Sequence, residues 1–385
     1  MVTTKRFFLI ILCLTVFTSL GYIFLFGVWR RRSDERIVYI ESPAGGLGDR
    51  LRAVILAYYI ALLTNRSLKL NGNELWGNED DYFETNVVNW KISKEEERVI
   101  HSWFSSKESF VERDALQVRY DEINFDILSE VEVISLSTNW FELDLLAKNP
   151  TLRSSPKFEL FNELYQSGRL SQHALNNVFK PGKRVVPYLD EIQRQYWPSK
   201  DILRIGMHLR NGDNERLISN SNSNSNSSKR KRGREVNVQR AECFASKAIS
   251  IWEEKKRLGN YKNVIFFISS DLVDSEEIVI KVIESQGYQI FRNNNLGEAK
   301  HIDKTSDDQI RTFVDWWTLV NMDIMLLPIS GFSEFASKFS CIPSYLFFET
   351  WESCEKLFTP FIDNGFCHKE FDQTFLLNTR VAKTQ

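Results

Sequence analysis

Along the 385-residue chain, short apolar runs alternate with longer apolar stripes, a rhythm that predicts strands and helices in turn. RIVYIES reads as a strand, and the stretch Pro43-Ala44-Gly45-Gly46-Leu47-Gly48-Asp49-Arg50-Leu51-Arg52 follows it as a glycine turn that opens a helix. That helix runs through AVILAYYIALL, apolar almost throughout as a helix buried against a sheet requires, and ends near Thr64-Asn65 before SLKL resumes as a strand. From Leu75 to about Ser199 no repeat stands out; Trp76, Trp90, Trp103 and Trp140 suit core packing, with the lining of an acceptor groove as the alternative. Pro181-Gly182 and Pro187 to Pro198 bracket a crossing between halves, with LDEIQRQYW as a short helix between them. The second half is regular. DILRIGMHL and NVIFFISSD read as buried strands, YQIFR and MDIMLLP as further strands. VQRAECFASKAISIWEEKKR, SEEIVIKVIESQG and Phe313 to Asn321 read as the helices between them, with another opening at Glu334. Such alternation predicts parallel sheets sandwiched by helices, an α/β architecture.

Two stretches depart from this rhythm. Phe7 to Trp29 is 23 residues without a charge, about 35 Å as a helix at ~1.5 Å per residue, enough for a hydrocarbon core of ~30 Å. A cleaved signal peptide would end in small residues; this run ends in Trp29 and three arginines, so a single amino-terminal anchor is expected. Lys5 and Arg6 precede the span and Arg30, Arg31, Arg32 and Arg36 follow it, so the positive-inside rule alone would leave the body cytoplasmic. Residues 219–234, SNSNSNSSKRKRGR at their core, are of low complexity and are expected to form a solvated, disordered insertion loop able to flap over the site.

Composition narrows the classes. With 43% hydrophobic and 13% aromatic residues the chain can fill real cores. Net charge is −2, and because most of the basic excess precedes Ile37, the body is more acidic than the whole and lacks the basic footprint of a nucleic-acid binder. Beyond Cys13, four cysteines remain (Cys243, Cys341, Cys354 and Cys367), which fits two disulfides or four free thiols, and no spacing suggests zinc. Asn65-Arg66-Ser67 and Asn226-Ser227-Ser228 are acceptor triplets for N-glycosylation.

Candidate chemistry collects at strand ends, where open α/β sheets bind ligands. IGMHLRNGD places titratable His208 and always-charged Arg210 at the end of a strand, with Asp213 beyond. A guanidinium fork matches phosphate oxygens and can hold a diphosphate without metal; pairing of Arg210 with Asp213 in a surface turn is the structural alternative. Gly45, Gly46 and Gly48 let backbone approach a ligand, and the amides opening the next helix attract negative charge, although neither a dinucleotide fingerprint nor a phosphate-loop Lys-Ser/Thr is present. Ser330-Gly331-Phe332-Ser333 repeats that geometry, or else is an ordinary helix cap. Asp271 ends another strand, either as an acceptor for base or ribose or as a cap for SEEIV.

The stretches AGGLGDRLRAVILAYYIALLTNRSLKL, IGMHLRNGD and DWWTLVNMDIMLLPISGFSEFASKFS, in this order, resemble the alpha-1,2-, alpha-1,6- and protein O-fucosyltransferase superfamily. The resemblance spans most of residues 37–345 and is dense only in those three places. It implies a GT-B fold of two Rossmann-like domains facing a cleft, here residues 37–198 on the acceptor side and 199–385 holding GDP-fucose. Residues 1–6 would be a cytoplasmic tail, 7–29 the anchor and 30–36 a short stem. It also implies inverting, metal-independent transfer without a cofactor, to a glycan or glycoprotein acceptor, in the Golgi or endoplasmic reticulum lumen. By position Arg210 corresponds to the diphosphate-binding arginine, with His208 and Asp213 beside it. Gly46 to Asp49, Leu47 included, corresponds to the amino-terminal loop facing the donor, with Gly45 beside it as a candidate binding residue, Ser330 to Ser333 to the phosphate-side turn, and Asp271 to the acidic position near guanosine. Asp49 stands where several members have Asn; it and Asp213 are the candidate bases. A glycosyltransferase using another nucleotide sugar and an inactive glycan- or nucleotide-binding scaffold are the alternatives.

Overall fold

The structure, a computed structural model, describes residues 36–41, 45–76, 81–105, 110–112, 122–126, 131–136, 143–210, 227–297, 309–347 and 358–362. The anchor 7–29 and Asp213 lie outside them. Among the described residues no helix is long and apolar enough to cross a membrane.

Two sheets carry the molecule. The first holds β1 (Ile37–Ile40), β2 (Ser67–Leu70), β4 (Phe110–Glu112) and β5 (Val133–Leu136) in the order β2-β1-β5-β4, all parallel. The second holds β7 (Ile202–Leu209), β8 (Asn263–Ser270), β9 (Gln289–Phe291), β10 (Ile324–Leu327), β11 (Ser344–Phe347) and β12 (Phe358–Ile362) in the order β12-β11-β10-β7-β8-β9. Only β12 runs antiparallel there. A small antiparallel pair, β3 (Phe83–Thr85) with β6 (Phe179–Pro181), lies between them in sequence. In both sheets the chain leaves one strand in opposite directions: β1 sits between β2 and β5, and β7 between β8 and β10. Crossover connections diverge there, the place at the strands' carboxyl ends where open α/β sheets form their binding crevice.

The helices used below are α1 (Leu47–Leu63), α2 (Leu170–Val178), α3 (Val186–Tyr196), α4 (Ser227–Arg257), α5 (Val273–Ser285), α6 (Ile310–Val320) and α7 (Gly331–Ser340). α1 is buried along nearly its whole length, as its continuous apolar sequence demands. Ser227 to Arg234 are helical, the Lys/Arg run included, which corrects the expectation of a disordered loop for that part of 219–234; residues 219–226 lie outside the described residues. Lys and Arg are good helix formers, and a run of them placed directly before an amphipathic helix extends it rather than ending it.

The largest core joins the two halves. It takes Val38, Leu56 and Trp76 from the first and Trp316, Trp317 and Phe335 from the second. Tyr82 stacks on Phe313 with ring centroids 4.0 Å apart, and Phe83 meets Trp316 and Trp317 edge-on or tilted. Trp317 Nε1 donates to the Tyr82 carbonyl at 3.1 Å. Trp76 and Trp90 are core residues, so these two line no groove. A second core, from Leu203 to Phe358, is built from the second sheet, α4 and α5. Cys243 and Cys341 are each disulfide-bonded, which decides between the two readings of the cysteines for these two residues.

Candidate functional site

The site is built at the switch point of the second sheet. β7 and β10 are parallel neighbours with Met207 opposite Leu326, so His208 and the turn after β10 emerge side by side. His208 Nδ1 lies 2.9 Å from Ser333 Oγ, and its ring packs 5.0 Å from that of Phe332. Burial first, and the Arg210 charge second, push the imidazole down to about 3, so His208 is neutral at physiological pH. Arg210 is the first residue beyond β7, half-buried, and its carbonyl accepts from Arg240 Nη1 of α4 at 2.9 Å. Arg240 itself lies over the Phe347 ring. Register pairs Leu209 with Ser270, which places Asp271, exposed, beyond β8 as Arg210 is beyond β7. Helix α5 starts at Val273 with Leu272 at its cap, so Asp271 is not the cap residue.

Ser330 is the N-cap residue of α7, yet its hydroxyl makes no cap bond; it is buried and has no hydrogen-bond partner. Ser333 is committed to His208. The capping-box reading of this turn therefore fails for both hydroxyls. The first intrahelical bond runs from Glu334 N–H to Ser330 O at 3.0 Å, which leaves the amides of Gly331, Phe332 and Ser333 ahead of it at the positive end of the helix. Phe332 also gives its carbonyl to Trp316 Nε1 at 3.0 Å, fixing the turn on α6.

The amino-terminal glycine turn meets this turn directly. A Cβ built on Gly48 would fall 2.4 Å from the Gly331 carbonyl carbon and 2.6 Å from its Cα, so two backbones touch where only glycine fits. Gly45 has φ +102°, and a side chain there would also strike the Asp49 carboxylate. Arg50, buried, holds the Gly45 carbonyl through Nε at 3.1 Å and reaches the Leu75 carbonyl. Both Asp49 oxygens have a partner: Oδ2 accepts the Gly46 amide at 3.3 Å and Oδ1 pairs with Arg52 at 3.1 Å. Arg52 continues to Glu334 at 3.4 Å, and Glu334 to Lys338 at 2.9 Å. Burial pushes the Glu334 carboxyl up, but Lys338 and Arg52 more than offset it and hold it below the usual range. Leu47 is a core residue, so only its backbone is available to a ligand.

Behind Asp271 lies a polar cluster that no sequence motif marked. Asp315, fully buried on α6, accepts from Ser269 Oγ at 2.9 Å and Asn293 Nδ2 at 2.7 Å, with Arg311 Nε at 3.6 Å. Burial pushes its carboxyl up to about 6, against the lowering by Arg311, Asn293 and Ser269. Glu276, equally buried, takes Arg311 and Arg292. Its carboxyl is raised by burial even so. Arg311 and Asp315 are an i,i+4 pair on α6, but the separation of 46 between Ser269 and Asp315 carries no local pattern; the sheet brings those two together.

The structure thus brings Gly48 to Gly331 and His208 to Ser333 and Phe332, and sets Arg210 and Asp271 on adjacent strand ends. No protein-family model matches the sequence, and no curated protein matches it. Solved structures match in fold. A mutant of Arabidopsis thaliana FUT1 in complex with GDP superposes with a TM-score of 0.56, covering 86% of this chain and 75% of its own at 14% identity. Fucosyltransferase NodZ from Bradyrhizobium covers 83% and 97% at 15% identity and TM-score 0.42. POFUT1 in complex with GDP covers 81% and 98% at 13% identity and TM-score 0.44. The resemblance drawn from three short stretches therefore holds as a likeness of architecture, a GT-B fucosyltransferase-like fold, carried by the Arabidopsis structure.

Proposed function

We propose that the chain is a glycosyltransferase that holds GDP-fucose in this cleft and transfers fucose, with inversion and without a metal, to a glycan or glycoprotein. The observation that carries the reading is the Ser330 hydroxyl, buried without a partner at the mouth of α7. A buried hydroxyl without a partner costs free energy that a phosphate oxygen would recover. It sits with the Gly331 to Ser333 amides on one strand end while Arg210 stands on the next. As the bond to the sugar breaks, charge grows on the β-phosphate, and Arg210 with these amides is placed to stabilise it. Neutral His208 orients Ser333 without adding a proton to the site. Asp271 is offered to the base or ribose. Asp49 fastens the glycine turn, which leaves its carboxylate poorly disposed as a base; Asp213 is the other candidate. The disulfides of Cys243 and Cys341 favour an oxidising lumen of the secretory pathway, with the 7–29 segment as anchor.

Calorimetric titration of the full chain in detergent with GDP, with chelator present, tests this beside Arg210→Ala. Binding that survives chelation and is lost in the variant is expected, together with a fall of roughly 100- to 1,000-fold in turnover, about 2.7 to 4 kcal/mol. A folded chain that does not bind GDP overturns the reading in favour of a scaffold; preference for GDP-mannose or UDP-sugars in competition would move it to another donor.

A further inference from the structure

The acceptor triplet Asn65-Arg66-Ser67 falls where helix α1 hands over to β2, and the structure separates the roles of its three residues. Asn65 is exposed and adopts φ +53°. Its backbone amide turns back onto the Leu62 carbonyl at 3.5 Å, closing the end of the helix. Arg66 points the other way, buried, with Nη1 on the Glu132 carbonyl at 3.1 Å. Ser67 opens β2, its amide on the Arg36 carbonyl at 2.8 Å. The left-handed turn thus throws the Asn65 carboxamide outward while its neighbours anchor the backbone on either side.

We propose that Asn65 is a site of N-linked glycosylation, a proposal that rests on the lumenal placement of the body argued above. The carboxamide nitrogen attacks the anomeric carbon of an oligosaccharide carried on a lipid diphosphate. The new C–N bond replaces the C–O bond to phosphate, the amide proton passes to the transferase base, and the lipid diphosphate leaves. The position suits a permanent glycan. α1 has 17 residues, about 25 Å at ~1.5 Å per residue, and the glycine turn of the cleft lies at its other end, so a glycan on Asn65 leaves the cleft open. β2 is an edge strand of the first sheet, and a bulky polar group rooted two residues before it stands over an edge that would otherwise invite pairing with another chain.

The test expresses the full chain in cells with a secretory pathway and reads peptide-N-glycosidase sensitivity and the tryptic peptide containing residue 65 by mass spectrometry, for the natural chain, Asn65→Gln and Ser67→Ala. Expected are a mobility shift on glycosidase treatment, aspartate at 65 in the released peptide, loss of that one glycan in both variants, and GDP affinity within twofold of the natural chain. Unmodified Asn65 in a chain glycosylated at Asn226 overturns the site while the lumenal reading stands. Unmodified Asn65 in a chain whose body is digested by protease added outside sealed vesicles overturns both.

Discussion

A histidine on a buried strand serves this site only while it is uncharged. Unfolded, His208 takes a proton as pH falls through its ordinary value near 6.5; folded, it refuses one until about 3. The unfolded chain therefore binds more protons between those values, and the stability His208 contributes is complete above about 6.5 and lost as pH falls through the window. Asp315 has the opposite sign. Its folded carboxyl keeps a proton up to about 6 where the unfolded one loses it near 3.8, so its contribution falls as pH rises through that range. Replacing His208 by Gln should flatten the acid side of the urea-midpoint profile; a profile parallel to that of the natural chain would show that the imidazole is not the acid-sensitive group. Asp49 is bound to local structure. Asp49→Asn keeps an acceptor for the Gly46 amide and should leave turnover within a few-fold, whereas Asp49→Ala should cost about 0.5 to 2 kcal/mol in denaturant unfolding, the range for a lost helix cap. A large loss of turnover in Asp49→Asn with unchanged stability would restore the carboxylate as base. At this scale the sequence marked His208, Arg210 and Ser330 because each sits in a local strand-turn pattern. Arg240 was silent, because it grips the Arg210 carbonyl from a helix thirty positions away and that contact has no spacing rule.

Between elements, the decisive contact is one turn against another. Gly48 and Gly331 belong to helices of opposite halves, and the chain Asp49, Arg52, Glu334, Lys338 runs beside their contact. The partly exposed Asp49–Arg52 and Arg52–Glu334 pairs contribute little to stability, about 0 to 1 kcal/mol each, so their value is in alignment. Gly48→Ala cannot be absorbed by a flexible side chain, since the clash is with backbone, and the turns must part. GDP affinity should fall at least about tenfold, a change of ~1.4 kcal/mol, with helical circular dichroism intact; unchanged affinity in a folded variant would detach the amino-terminal turn from the nucleotide site. Element identity was legible where period and length agreed: β1, α1, β2, β7, β8 and α6 stand where apolar runs put them. The sheet partners β4 and β5 were not, because three- and four-residue strands flanked by aromatic and acidic residues leave no alternation to read. Nor was the start of α4, where low complexity concealed good helix formers.

For the whole molecule, the sequence predicts two domains divided near residue 198; there are two separate main sheets, but the largest core draws residues from both sides of that position. Trp316 and Trp317 stand between the aromatic group Trp76, Phe83 and Phe179 of the first half and Phe339 of the second. No pattern along the chain reveals this, because each tryptophan suits a core in either half; only packing chooses. The consequence is thermodynamic. Two halves with separate cores would unfold independently, but here opening one exposes the aromatic face of the other, which couples their free energies. Calorimetry should show one cooperative transition for the natural chain, and Trp316→Ala should lower it as a unit by about 3 to 5 kcal/mol, the range for deleting a large buried aromatic. The same variant removes the Nε1 bond to the Phe332 carbonyl, so the turn that opens α7 should loosen and the proposed GDP binding weaken with it. Two resolved transitions, of which Trp316→Ala moved only the second, would mean that the interface is a docking contact between independent domains, and the Gly48–Gly331 contact would then report one position of a hinge.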